Sequence, residues 1–291
     1  MPSSIFAVAA PIGLFLILWA LFYLPLAGIL RAAKEGVEGG AAELARKSAT
    51  PAAGAQSGGA RGLSPVLIVL LVGGLAAAAA AYLFVELAEQ VNVSTSAVDQ
   101  VDQTIHTWFG HEHQPATTLL LTTATNIGSS LGLATVVAIS IGLLLAFRQR
   151  ASAVFLIVTS GAGALLNLGL KEIFRRTRPD LTDALASAHW YSFPSGHAMG
   201  SFITFGALAY IALRQQWTWA ARSASLALAL TMVVLVGVSR VYLGVHWASD
   251  IAGGWSAGAV WLTAAIVAFE MLLRRRTPSI ATPLRDERTA S

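Results

Sequence analysis

The chain contains no cysteine. Disulfides, thiolate metal sites and a cysteine nucleophile are therefore excluded, although no compartment is identified. Charge is also scarce. Only 12% of the 291 residues are Asp, Glu, Lys or Arg, against about 25% in a typical soluble domain. The net charge is +4, but the basic residues lie mostly at the ends of apolar runs. Nothing resembles a basic soluble patch, so nucleic acid is not an expected partner. No internal repeat is visible. What fills the chain is apolar: 55% of residues are hydrophobic. A polytopic, all-α membrane protein is expected.

A helix needs about 20 apolar residues to cross a bilayer. Seven candidate runs occur, at 5–30, 64–88, 128–147, 151–171, 196–213, 223–243 and 250–273, the fifth being short. The first lacks a basic leader, is too long for a signal peptide and is followed by Arg31 and Lys34. It reads as a retained helix entering with its N-terminus outside. Residues 31–63 are rich in Gly and carry Arg31, Lys34, Arg46, Lys47 and Arg61, as a flexible basic linker would. The expected organisation is an accessory helix over 1–30, a cytoplasmic linker over 31–63, a six-span body over 64–273 and a cytoplasmic tail over 274–291.

Charge sets the orientation. Arg148, Arg150, Arg214, Arg222, Arg274, Arg275 and Arg276 mark one side, while residues 90–129 contain no Lys or Arg. By the positive-inside rule the first side is cytoplasmic. The other is outside, periplasmic in a two-membrane bacterium, and the expected location is the inner (plasma) membrane. Within 91–127, Val98, Val101, Ile105 and Trp108 recur at helical spacing while Asp99, Asp102 and His106 fall elsewhere. This segment either lies in the headgroup plane or is a packed loop helix.

Three short stretches on the outer side hold most of the polar chemistry. Lys171, Arg175, Arg176 and Arg178 precede Pro179; Pro194-Ser195-Gly196-His197 follows; Ser239-Arg240 leads to His246 and Asp250. Cations on the wrong side for topology are better explained by ligand binding, although a patch for anionic headgroups is an alternative. Arg178 suits bidentate phosphate contact and Lys171 is a compact point charge. Lys171 and Arg175 are four apart and can share a helical face. Pro194 fits the first turn of a helix, which would turn the Ser195 and Gly196 amides toward an anion. His197 beside that anion suits a general acid. His246 and Asp250, four apart, can meet on one face. Asp250 would then fix the ring tautomer, favour its protonated form and raise its pKa toward neutrality. A plain helix cap is the alternative for this pair. A short Tyr-Leu-Gly turn could return the chain toward Arg240.

Taken together and in this order, K-x6-RP, PSGH and SR-x5-H-x3-D closely resemble the type 2 phosphatidic acid phosphatase superfamily. It includes membrane lipid phosphatases, undecaprenyl-diphosphate phosphatases and soluble vanadium haloperoxidases. The resemblance covers about 64–273 and leaves residues 1–63 unread. It implies that His246 is the nucleophile, Asp250 its orienting partner and His197 the acid for the leaving oxygen. Lys171, Arg178, Arg240, Ser195 and the Gly196 amide would hold the phosphoryl oxygens. It also implies metal-independent chemistry with no cofactor.

The resulting expectation is an integral-membrane lipid phosphatase working through a phosphohistidine. Undecaprenyl diphosphate, phosphatidic acid and phosphatidylglycerol phosphate are candidate substrates, with the bilayer itself as partner. A lipid phosphotransferase using the same intermediate and a non-catalytic lipid-binding or transport protein are the alternatives. His106, His111, Glu112 and His113 lack the spacing and Cys partners of a zinc site. Gly254 and Gly258 form a small-xxx-small pair for close helix packing. His189 and Trp190 either touch the substrate headgroup or cover the site.

Overall fold

A computed structural model describes residues 65–275, apart from 111–113, 183, 187, 188 and 216. The expected first span, the basic linker, the tail beyond 275 and the His111–His113 stretch lie outside the described residues. Within them the chain is all-helical: α1 Pro65–Gln90, α2 Ala97–Gly110, α3 Pro115–Ile127, α4 Ser130–Ala146, α5 Arg150–Phe174, α6 Gly196–Leu213, α7 Trp219–Tyr242 and α8 Ala248–Arg275.

By length and composition α5, α6, α7 and α8 can each cross a membrane, and α3 with α4 makes a fifth span if the bent pair counts as one. At 1.5 Å per residue, the 25 residues of α5 rise about 37 Å, beyond the ~30 Å hydrocarbon core. Large side chains on α4 and α5, among them Leu131, Ile139, Val158 and Leu165, are exposed. An exposed apolar surface of this extent fits contact with lipid tails.

The run read as a span at 128–147 is in fact the second arm of a broken element. α3 and α4 meet at 61°. Gly128 caps α3, and Ser129 caps α4 by accepting the Gly132 N–H at 3.0 Å. A Cβ at Gly128 would fall 2.3 Å from Val236 of α7, so glycine lets the bend press against that helix.

At the centre, α6 packs against α5, α7 and α8. Its Ala198, Met199, Ile203 and Ala207 are fully buried. Gly254 and Gly258 of α8 face α6, where added Cβ atoms would lie 2.8 Å from the Ser195 carbonyl and 3.1 Å from Phe202. That contact holds the start of α8 against the start of α6. The chain alternates direction, so the end of α5, the start of α6, the end of α7 and the start of α8 come together at one end of the bundle.

The amphipathic reading of 91–127 holds only in part. α2 packs half-buried Val98 and Ile105 against the body but leaves Val101 and Trp108 exposed. Its one fully buried polar residue is Asp102. The polar face carries an inward tie that the periodicity does not show.

Candidate active site

The third motif is shaped by the end of α7. Gly244 takes φ +74°, its N–H donates to the Val241 carbonyl and the Val245 N–H reaches back to Arg240 at 3.1 Å. This left-handed helix stop favours glycine and returns the chain toward Arg240 as expected. His246 follows, and Asp250 sits in the first turn of α8. Asp250 Oδ2 accepts the Trp247 N–H at 2.9 Å and lies 3.1 Å from His246 Nδ1. On the other side of the ring, Arg178 Nη1 is 3.0 Å from Nε2. A guanidinium has no acceptor, so Nε2 must accept and Nδ1 carries the proton. The Nε2 lone pair therefore points away from Asp250, toward Arg178 and the cavity.

His246 is 2% exposed. Burial pulls its pKa down from 6.5 to about 3; Asp250 opposes this, and Arg178 and Arg240 reinforce it. The expectation that Asp250 would lift the ring toward neutrality is corrected: desolvation of the charged form outweighs the carboxylate. Asp250 is also shared. Its Oδ1 accepts from Arg176 Nη1 at 2.7 Å, and Ser192 Oγ donates to its Oδ2.

The first motif straddles a helix end. α5 stops at Phe174, and Arg175 takes a left-handed φ of 46°. Lys171 and Arg175 consequently do not share a face. Arg175 turns to the surface and pairs with Glu172 at 3.3 Å, while Arg176 turns inward and is buried. Lys171 Nζ donates to the carbonyls of Tyr191 at 2.6 Å and Ser192 at 3.2 Å. Arg178 donates to those of Trp190, His189, Tyr191 and Val245. The two cations thus tie segment 189–192 to the rim, and His189 and Trp190 line the cavity.

In the second motif, α6 begins at Gly196, where the expected run begins, but Pro194 lies outside its first turn, contrary to expectation. Pro194 precedes the helix, and Ser195 is its N-cap. Ser195 is fully buried, its Oγ accepts the Ala198 N–H at 3.5 Å and its own N–H donates to the Asp250 carbonyl at 3.0 Å. Its amide is therefore not turned toward an anion, which departs from the expectation. Gly196 and His197 do line the cavity. Asn167 braces this start by donating to the Pro194 carbonyl at 3.3 Å. Arg240 donates to Thr125 Oγ1 of α3 at 2.7 Å, and its buried Nε has no partner among the described residues.

Lys171, Arg178, Gly196, His197, Arg240 and His246 share the wall of one cavity of about 670 Å³. Its other wall is apolar, with Leu133, Val137 and Ile141 of α4 and Ile157 and Leu168 of α5. Three contributors carry no site role in the sequence reading: Asp102, Thr125 and Ser192, which belong to no motif. Arg176 is among the cations of the first motif, but at one of the unspecified positions of K-x6-RP and without an assigned partner.

Residues 151–274 match the sequence pattern of the PAP2 superfamily. A phosphatidylglycerophosphatase B of Bacillus subtilis is 33% identical over 168 residues, 57% of this chain and 82% of that protein. An undecaprenyl-diphosphatase of Sulfolobus acidocaldarius is 38% identical over 73 residues, 25% of this chain and 31% of its own length. The crystal structure of a transmembrane PAP2-type phosphatidylglycerolphosphate phosphatase from Bacillus subtilis superposes with a TM-score of 0.62 at 28% identity. It covers 69% of this chain and 98% of that one.

Proposed function

We propose that this chain, which belongs to the PAP2 superfamily, hydrolyses lipid phosphate or diphosphate esters at the outer face of the inner (plasma) membrane through a phosphohistidine on His246. One observation carries the reading: fixed cations and two histidines stand at one end of a cavity whose far wall is apolar and belongs to membrane-spanning helices. A phosphorylated headgroup fits the first end and an aliphatic chain the second.

In this reading Nε2 attacks phosphorus as the ester P–O bond breaks, and His197 gives the departing oxygen a proton. Water then attacks the phosphohistidine, its proton passes to His197, and inorganic phosphate leaves. Arg178 Nη1 donates to Nε2 at 3.0 Å in the unliganded site; it must release that lone pair for attack, and the freed N–H then holds a phosphoryl oxygen. Lys171, Arg240 and Gly196 complete the cradle, and the cations neutralise charge that a metal would otherwise meet. Ser195 acts as the cap of α6 and supports the site from behind. Phosphatidylglycerol phosphate is the first substrate to test, because the relative of that name is matched over most of its length; undecaprenyl diphosphate and phosphatidic acid follow.

The test is phosphate release by the detergent-purified protein from each of these lipids, with His246→Ala as control. Release from at least one, abolished in the control, is the expected result. No release from any of them, or full release by His246→Ala, would overturn the reading.

A further inference from the structure

Asp102 lies on α2, outside all three motifs, and is 1% exposed. A carboxylate this deep needs a cation and hydrogen bonds to remain charged. Both are present. Arg176 Nη2 donates to its Oδ2 at 2.8 Å, the Ser249 N–H donates to Oδ1 at 2.9 Å, and Ser249 Oγ–H donates to Oδ2. The same guanidinium donates through Nη1 to Asp250 Oδ1 and Ser249 Oγ, each at 2.7 Å. Asp250 then accepts the His246 Nδ1–H. Charge alternates along this line: carboxylate, guanidinium, carboxylate, imidazole.

Arg176 alone would cancel Asp250. With Asp102 on its other side, the group holds two negative charges and one positive. We propose that Asp102 is a positioning residue for phosphoryl transfer: it occupies Arg176 so that Asp250 keeps a net negative potential toward His246. This rests on the reading that His246 carries the phosphoryl group. When Nε2 bonds to phosphorus and the ester P–O bond breaks, the ring becomes cationic while its Nδ1–H still faces Asp250. The negative potential stabilises that state more than the neutral resting ring, so it acts on kcat. Asp102 touches neither substrate nor His246. The fixed fork of Arg176 transmits its charge and orientation.

The experiment compares Asp102→Asn, Arg176→Gln and the double variant with the full-length protein in detergent, using phosphatidylglycerol phosphate and nitrophenyl phosphate. An opposite charge in direct contact shifts a titration by about one to three units, and Asp102 acts one partner further away. Its loss should therefore lower kcat by less than a direct contact would, about three- to tenfold, with KM within about twofold. The double variant, which removes one charge of each sign, should regain kcat above Asp102→Asn. If Asp102→Asn does not yield folded protein, the double variant, which keeps the parent's net charge of one negative on this group, is compared with the parent: kcat should stay within about threefold, and a loss of more than about tenfold would overturn the proposal. A kcat of Asp102→Asn equal to the parent, or a double variant showing the product of the single losses, would overturn the proposal. Failure of the functional reading looks different: the parent itself would release no phosphate, or His246→Ala would release it normally.

Discussion

Asp250→Asn probes the site at its most connected atom. Asp250 Oδ2 faces the Trp247 N–H, the Ser192 hydroxyl and the His246 Nδ1–H, whereas Oδ1 faces Arg176. An amide has one acceptor end and one donor end. Pointing the donor at Oδ2 would oppose three donors, so the amide turns it toward Arg176. The ring tautomer is kept, and the charge is lost. Breaking a buried ion pair costs about 3–5 kcal/mol of stability, which thermal unfolding in detergent would register. Losing the counter-charge of a cationic phosphohistidine should lower kcat roughly 10- to 1000-fold, the equivalent of about one to three pKa units. The pH profile separates causes. Asp250 raises the His246 pKa, but burial has already taken it down to about 3, and removing the carboxylate lowers it further. The ring is neutral in both proteins at every pH more than roughly two units above that value. His246 should therefore add no acid limb to kcat/KM between about pH 8 and about pH 5 in either protein; any slope there belongs to protonation of His197, so the two profiles should run parallel while kcat falls in the variant. An acid limb near neutrality in the parent that moves down in Asp250→Asn would refute this, because the carboxylate, and not burial, would then set the ring's charge.

Other perturbations have equally direct outcomes. Thr125→Val removes the acceptor of Arg240 Nη1; hydrogen bonds to charged groups contribute about 1.5–3 kcal/mol, so kcat/KM should fall about tenfold, with Thr125→Ser restoring it in steady-state assays. Gly196→Ala places a Cβ 2.9 Å from Asn167 Oδ1; overpacking of this kind costs about 1–3 kcal/mol, and the unfolding temperature should drop together with affinity for vanadate. Reporter fusions should be cytoplasmic after Arg150 and Arg276 and external near Gln114; an external reporter after Arg276 would reverse the orientation and move the site to the cytoplasmic face.

The local parts of the site were legible because they depend on neighbours in the chain. The contact of His246 with Asp250 follows from a four-residue spacing on one helix start, and the return turn from a glycine just past the end of α7. What depends on distant packing was not legible. The turn of Arg176 inward and Arg175 outward follows from where α5 stops, which the K-x6-RP spacing does not encode. Asp102 looked like one polar residue of an amphipathic helix; only its approach to Arg176, 74 positions away, shows it to be buried. The broken α3–α4 span had a signal in Gly128-Ser129-Ser130, a helix stop followed by a cap, but the apolar run beyond it dominated the reading. Likewise, the proton affinity of His246 is set by how deeply the bundle encloses it, a quantity that spacing cannot carry.

The central claim is that phosphorus passes through His246. The most direct measurement is acid-free rapid quenching of the purified protein with nitrophenyl phosphate, followed by mass spectrometry of the peptide containing residue 246. The account predicts one phosphoryl group on His246, formed and lost fast enough to support turnover, sensitive to acid and absent in His246→Ala. Sustained turnover with no phosphoryl group on His246, or with the group on another residue, would contradict it.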